Sequence, residues 1–467
     1  MADRVPAVLG LDVGTTEAKA ALIGLDGRLL GQGRGSYPTD AAADGQAEQD
    51  PRDWWAALST AVRAIDVAAG EVVAICGVAQ GPTLVAVDAA GGPVRAAITW
   101  QDRRAGGTGF GLLPKMAWLA REDPATAARA AWLLPAWDAM GLWLSGEAAS
   151  SLQGHETRPD EAALAGAGVR PSQVPEARPF GSPLGVLRPG AAEALGLRAG
   201  IPVISGVNDG AASMLGAGLR VAGDAVDTGG TSGGIAIYTD GPVALPVAGL
   251  YQAPAPIPGR WVVGGAMAAL GASVGWLLSS VLGDRWSAED LFAEAATVPA
   301  GAQGLTFLPY LAGERAPIFD ESARGAFVGL TLGHGRAHLF RAVLEGAAFA
   351  MRDVAEPLAA AGAPARELRL AGRPSPGDLW GRIKADVLGV PAAIPVVGET
   401  AVLGAAIIAA AGVGAVASLE EGVASMAAVA RRLDPDPSTR SAYDEAFGLY
   451  RALYPALRPV FGRSEGC

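Results

Sequence analysis

Two stretches far apart in the chain share one pattern, and that pattern restricts the fold more than any other feature. Leu9-Gly10-Leu11 runs into Asp12-Val13-Gly14-Thr15-Thr16 and resumes as a second apolar run ending at Leu25. Ala225-Val226 likewise runs into Asp227-Thr228-Gly229-Gly230-Thr231-Ser232-Gly233-Gly234 and resumes through Ile235-Ala236-Ile237-Tyr238. Each reads as a β-hairpin whose tight turn carries an acid, glycines and hydroxyls. Glycine lets a backbone approach an anion, successive N–H groups can wrap phosphate oxygens, and Asp12 could hold the water shell of a Mg²⁺ ion. A single such turn fits an ordinary hairpin equally well. Two of them point to two related domains facing one cleft.

With 467 residues, 50% of them hydrophobic, the chain can bury large cores, and two domains are expected. A formal net charge of −11 offers no attraction to nucleic acid or to an anionic membrane, so neither is expected as a partner. Met1–Pro6 is too short and polar for a secretory signal. Cys76 and Cys467 supply neither a disulfide framework nor a thiolate metal site, and a cytoplasmic location fits. His155, His334 and His338 are too scattered for a metal cluster. Ala401–Leu419 is uncharged and nearly long enough to span a bilayer, but it is mostly alanine and glycine and Glu420-Glu421 follow at once. A buried helix packed through small residues is expected there.

Along the chain, Asp50 is placed to cap a helix that has Pro51 at its first position. Strands are expected at Val72–Ala79, Leu84–Val87 and Ala96–Trp100, and surface loops with short helices over Ser151–Ala199. Ile201–Gly206 then reads as a strand that feeds a helix of small residues through Asn208-Asp209-Gly210. The domain change is expected near Leu219–Gly223, just before the second hairpin.

Two later segments carry a resemblance. One is Gly325-Ala326-Phe327-Val328-Gly329-Leu330 followed by His338-Leu339-Phe340-Arg341-Ala342-Val343-Leu344-Glu345-Gly346; the other is Phe307-Leu308-Pro309-Tyr310-Leu311-Ala312-Gly313-Glu314-Arg315-Ala316-Pro317. Together with the hairpins they resemble the FGGY family of carbohydrate kinases, whose fold is similar to that of hexokinase, actin and Hsp70. The resemblance implies an α/β fold of two ribonuclease H-like (actin-like ATPase) domains, each on a mixed five-stranded sheet, with a ligand cleft between them. Residues 1–219 would form the sugar-binding N-terminal domain and 220–467 the nucleotide-binding C-terminal domain. ATP and Mg²⁺ would be the cofactors and a small-molecule sugar the substrate.

Phosphoryl transfer to a hydroxyl asks the protein for positioning, charge neutralisation and a base. Asp209 matches the family's Gly-x-x-Asp-x-Ala-Ala pattern and is expected to be that base; capping the helix that follows is the alternative for such an acid. Gly14, Thr15 and Thr16 resemble the family's first phosphate loop, and Gly230, Thr231 and Ser232 its second. Asp12 would hold hydrated Mg²⁺, alone or with Asp209. Gly271 would let the nucleotide approach a helix start, plain packing being the other reading. In the adenosine segment Gly372, Trp380 and Ala385-Asp386 align with the family pattern, whereas Arg373-Pro374 replace two glycines. Arg373 could stack on the base or pair with a phosphate, and an altered ATP site is the other outcome.

For the sugar, Trp100-Gln101-Asp102-Arg103-Arg104 resembles the family's Trp-x-Asp-x-Arg motif, with Trp100 against an apolar sugar face and Asp102 accepting from hydroxyls. Gln80-Gly81-Pro82-Thr83 stands where xylulose kinases carry Gln-Met-His-Gly and glycerol kinases an Arg-Glu pair. Neither signature is present, which leaves Gln80 as a candidate contact. Asn208 could read another hydroxyl or simply form the turn. Trp54, Trp55, Trp118, Trp132, Trp137 and Trp143 are expected to be core. A pentulose such as xylulose is the leading substrate, gluconate or a polyol the next. A non-catalytic sugar- or ATP-binding sensor of the same fold is the alternative of another class. A homodimer fits the frequency of symmetric assemblies among soluble enzymes.

Overall fold

The computed structural model describes residues 5–41, 45–106, 111–152, 158–230, 232–283, 285–372 and 375–461. Thr231 and Arg373, both expected at the nucleotide, lie outside the described residues. The chain forms two units, Met1–Gly218 with Glu399–Ala428, and Leu219–Gly398 with Val429–Cys467.

In the first unit a six-stranded sheet runs Pro183–Val186, Pro202–Ile204, Glu71–Ala79, Pro6–Val13, Glu17–Gly24, Leu29–Ser36. The middle three are parallel and the last three form an antiparallel meander. Asp50 caps the helix Pro51–Arg63 by accepting from the Arg52 amide, as its sequence dictates. The segment expected to be loops and short helices holds the helices Glu161–Gly166 and Pro189–Leu195, and also the edge strand Pro183–Val186. That strand buries only Leu184, so it has no alternation to read.

The second unit repeats the plan. Its seven strands run Leu250–Pro254, Trp261–Ala266, Gly234–Thr239, Asp224–Asp227, Glu367–Leu370, Ala392–Pro395, Val429–Leu433. Five strands of each sheet, all but Pro183–Val186 in the first and the central five in the second, share one order and one pattern of directions, two antiparallel steps and then two parallel ones. Both sheets exceed the expected five strands because further strands pair with open edges, which removes unpaired N–H and C=O groups. Ala225, Ile235, Ile237 and Val263 share one core with the long helix Arg336–Ala360 and with Tyr443 and Tyr450 of the helix Arg440–Phe461.

The second domain, expected over 220–467, is interrupted where Glu399–Ala428 returns to the first unit. The cause is the helix Thr400–Gly412, apolar on nearly every face and buried from Val402 to Ala410. It lies on Pro6–Val13 and on the helix Asp209–Ala217 so closely that side chains are excluded. A Cβ on Gly404 would meet the Ala212 carbonyl oxygen at 1.9 Å, one on Gly216 that of Thr400 at 1.9 Å, and one on Gly10 that of Val402 at 2.2 Å. Among the described residues no helix is long and apolar enough to cross a membrane.

Candidate active site

Three parallel strands of the first unit deliver their carboxyl ends to one edge, where ligands bind in open α/β sheets. Val13 pairs with Ala79, the Gln80 amide donates to the Val13 carbonyl (2.8 Å), and Ala79 bridges to Asn208. Asp12, Gln80, Asn208 and Asp209, remote in sequence, therefore gather at one rim.

At that rim Asn208, not Asp209, caps the helix: its Oδ1 accepts from the Ala211 amide at 2.8 Å. Asp209 is relieved of capping and accepts only from the Gly210 amide (2.8 Å) among the described side-chain bonds. Its side chain keeps a partly exposed edge, yet burial raises its pKa to about 6, with the Gly210 amide and the Lys19 charge pulling the other way. Asp12 is buried, and one of its carboxylate oxygens has no hydrogen-bond partner. Burial first, and then the Asp209 charge, raise it to about 8 against the pull of Lys19. Lys19 itself is bound to Glu399 (2.8 Å) and Glu17 (3.4 Å). Two acids in one field, one with an orphaned oxygen and neither in an ion pair with Lys19, fit Mg²⁺, an ion that keeps most of its waters and takes one or two carboxylates. Among the described residues no group of three or more His, Cys, Asp or Glu offers an all-protein cage.

The first hairpin turn is held from outside. Tyr37 donates to the Gly14 carbonyl (2.5 Å), Trp100 Nε1 to Thr15 Oγ1 (3.1 Å) and Gln49 Nε2 to the Thr15 carbonyl (2.7 Å). Thr16 is exposed. Gln49, which sequence reasoning missed, also accepts from Trp54 Nε1 (3.0 Å) and from Gln80 Nε2 (2.6 Å). Its signal was a fully polar residue just ahead of the Asp50 cap, buried as only a bonded amide can be. Gln80 is left with a buried, unpartnered Oε1, an acceptor open to a ligand hydroxyl. Asp102 is buried. Its oxygens accept from the amides of Ala47 and Arg104 (3.0 Å each) and from the Arg104 guanidinium (2.6 Å at the nearest). Both oxygens are engaged within the protein.

In the second unit Gly230, Gly271 and Gly372 come together on one open pocket. Gly229, Gly230 and Gly233 have φ of 60°, 77° and 87°, so the second turn needs glycine at those places. The Ser232 carbonyl accepts from the Leu270 amide (2.8 Å) and so seats the helix Leu270–Trp276 that presents Gly271. Glu314, in the Gly-Glu-Arg segment, accepts from the amide of Ala268 just ahead of that helix (2.8 Å) and from that of Arg315 (2.7 Å). Burial raises it to about 7. On the pocket wall Lys384 pairs with Asp227 and stands 3.7 Å from the Trp380 ring centroid. Neither Asp227 nor Lys384 was singled out from the sequence, although Asp227 precedes its turn as Asp12 precedes the other.

The sequence matches the N-terminal domain of the FGGY family of carbohydrate kinases over residues 7–109 and the C-terminal domain of the same family over residues 225–413. It is 32% identical to a glycerol kinase of Thermus brockianus, over 98% of each chain. It is 28% identical to a xylulose kinase of Escherichia coli K12, over 97% of this chain and 99% of that one. The fold is similar to the crystal structure of a xylulose kinase from Rhodospirillum rubrum, with a TM-score of 0.83 and 30% identity over 98% of this chain and 100% of that one.

Proposed function

The chain belongs to the FGGY family of carbohydrate kinases, phosphotransferases that use ATP, and on that premise we propose that it phosphorylates a pentulose such as xylulose with Asp209 as general base. The observation that carries the reading is Asp209 at the carboxyl ends of the central strands, freed from capping by Asn208 and in the field of Asp12. A base with a pKa of about 6 is ionised at neutral pH and still basic enough to receive a hydroxyl proton. That proton leaves late in a loose transition state, so the burden on the base is position more than strength.

Asp12 and Asp209 would hold Mg²⁺ through its waters, and the ion would neutralise phosphate charge. The glycines of the second turn, with Gly271 and Gly372, leave backbone bare where ATP would lie. Gln80 Oε1 and the free Nδ2 of Asn208 offer an acceptor and a donor to sugar hydroxyls, and Trp100 a flat apolar face. Asp102 serves the sugar by holding Arg104 and the Ala47 backbone in place. The pentulose assignment draws support from the relatives that are xylulose kinases.

The test is a coupled ADP-release screen across ketoses, aldoses, polyols and aldonates, with Asp209→Asn beside the wild type. D-xylulose is expected to give the highest kcat/KM, and Asp209→Asn to keep ATP binding while losing sugar-dependent turnover by about 10²–10⁴-fold. A polyol or aldonate at the top of the screen would replace the substrate; wild-type turnover in the variant would remove the base.

A further inference from the structure

Beneath the rim, and outside the machinery above, a buried acid and a buried hydroxyl meet the chain just before Asp209. Ser151 Oγ lies 2.5 Å from Asp138 Oδ1, 2.9 Å from the Gly206 carbonyl oxygen and 3.0 Å from Trp137 Nε1; the Ser151 amide donates to Asp138 Oδ2 at 2.9 Å. Asp138 and Trp137 begin the helix Ala136–Ser145, and Asp138, Trp137 and Ser151 are all buried.

The protons in this cluster can be counted. Trp137 is donor only, so it supplies Ser151 Oγ. Ser151 has one hydroxyl proton and faces two acceptors, the carboxylate and the Gly206 carbonyl. If the carboxylate is ionised, one of them sits within 3 Å of a bare oxygen lone pair, an arrangement that a buried site does not tolerate cheaply. One more proton, on Asp138 Oδ1, satisfies every atom: the acid donates to Ser151, and Ser151 donates to Gly206.

We propose that Asp138 is held as a neutral acid whose proton completes a chain from Asp138 through Ser151 to the Gly206 carbonyl, and that this chain positions the turn carrying Asn208 and Asp209. It rests on the reading of Asp209 as base. Both ends of the chain bear on the site. The Gly206 Cα is pressed against the neighbouring strand, where a Cβ would meet the Gly77 carbonyl oxygen at 1.8 Å, while its carbonyl accepts from Ser151. The indole fixed by Ser151 lies against Gly81, whose added Cβ would stand 2.7 Å from Trp137 Cζ3 and 3.4 Å from Asn208 Cβ.

Burial raises Asp138 to about 7 even though both Ser151 bonds pull it down. Among the described residues no opposing charge faces it. Its own helix has no other ionisable residue, and the strands Leu84–Val87, Trp132–Pro135, Pro183–Val186 and Pro202–Ile204 packed on that helix carry none. Glu71–Ala79 brings the buried Cys76 thiol, kept neutral by burial and directed to the Ser205 carbonyl, and Glu71, exposed beside Arg198. Pro189–Leu195 brings Glu193, exposed. As pH rises through about 7 Asp138 ionises, Ser151 turns its proton to the carboxylate, and Gly206 loses its donor.

Asp138→Asn imitates the neutral acid, with its carbonyl towards the Ser151 amide and its NH₂ towards Ser151 Oγ. The test measures kcat from pH 6 to 9 for the wild type, Asp138→Asn, Asp138→Ala and Ser151→Ala, together with an infrared titration for a protonated buried carboxyl that is lost in Asp138→Asn. The expected result is a wild-type kcat that declines on the alkaline side, Asp138→Asn within about threefold of wild type and without that decline, and Asp138→Ala and Ser151→Ala down by about tenfold or more at unchanged KM for ATP. Asp138→Asn as impaired as Asp138→Ala, or no protonated carboxyl in the wild type at pH 6, overturns the chain. The infrared reading decides even where the alanine variants fail to fold. An active Asp209→Asn would instead overturn the base, whatever Asp138 does.

Discussion

Gly404→Ala probes how tightly the returning helix fixes the proposed base. The new methyl carbon would stand 1.9 Å from the Ala212 carbonyl oxygen, where ordinary contact begins at 3.4 Å, so the two helices must move apart. Helix propensity favours the change by up to about 1 kcal/mol. Overpacking opposes it by about 1–3 kcal/mol. Here the obstacle is backbone that cannot rotate aside, so the upper part of that range applies and the variant is destabilised by roughly 1–2 kcal/mol net. The displaced partner is the helix Asp209–Ala217, which begins at the proposed base. A misplacement of about 1 Å costs on the order of 100-fold in rate. Denaturant unfolding and kcat at saturating ATP and sugar would measure both effects. Gly448→Ala is the control: Gly448 is exposed within the helix Arg440–Phe461, and no atom lies within 4 Å of its added Cβ. That variant should gain about 0.5–1 kcal/mol and keep its activity. The two substitutions are chemically identical and should differ in sign. A Gly404→Ala enzyme as stable and fast as wild type, or a Gly448→Ala enzyme equally destabilised, refutes the packing argument.

Two further outcomes follow from the titrations and ion pairs. Burial holds the Asp209 carboxyl at about 6, so a carbon-13 NMR titration of the metal-free protein should show it ionising well above the ordinary carboxylate range, and a midpoint near 4 would mean that Asp209 is not held by burial. Lys384→Met leaves Asp227 buried and unpaired, which should cost about 3–5 kcal/mol and weaken ATP binding, while the double variant with Asp227→Asn recovers most of the stability; equal loss in the single and double variants would show that the pair is not coupled.

What the sequence made legible was local. The Asp50-Pro51 helix start, both hairpins and the strand-to-helix break at Asn208-Asp209 are written in adjacent residues and appear where expected. Placements decided by remote partners were not. Ala401–Leu419 shows itself as a buried helix, but nothing in it says which unit it joins. That answer lies in Gly10 and Gly216, far upstream, whose missing side chains make room for it. The Asp102 motif is local and so legible; the bonds of its oxygens to Arg104 and the Ala47 amide become visible only once the chain is folded. Capping is an open alternative for Asp209 in sequence, and a ψ of 151° at Asn208 gives that role to Asn208 by leaving it just outside the helix.

The two units also show how one hairpin becomes two kinds of site. Asp12 and Asp227 occupy similar places, at the turn-side end of a strand paired antiparallel to its successor, Asp12 one residue before the end of Pro6–Val13 and Asp227 the last of Asp224–Asp227, and both are buried. Asp227 is neutralised by Lys384, and its other oxygen accepts from the Gly229 amide (3.0 Å), so its charge is already met within the protein. Asp12 has no such lysine in contact, because Lys19 is turned to Glu399 and Glu17. Its charge is left to be met by a proton or a metal, and the orphaned oxygen shows where. The turn glycines are shared, since either turn can receive phosphate oxygens on its amides. The difference lies in one side chain: a lysine from the helix Leu379–Leu388 closes the second site to cations, and its absence keeps the first open beside Asp209.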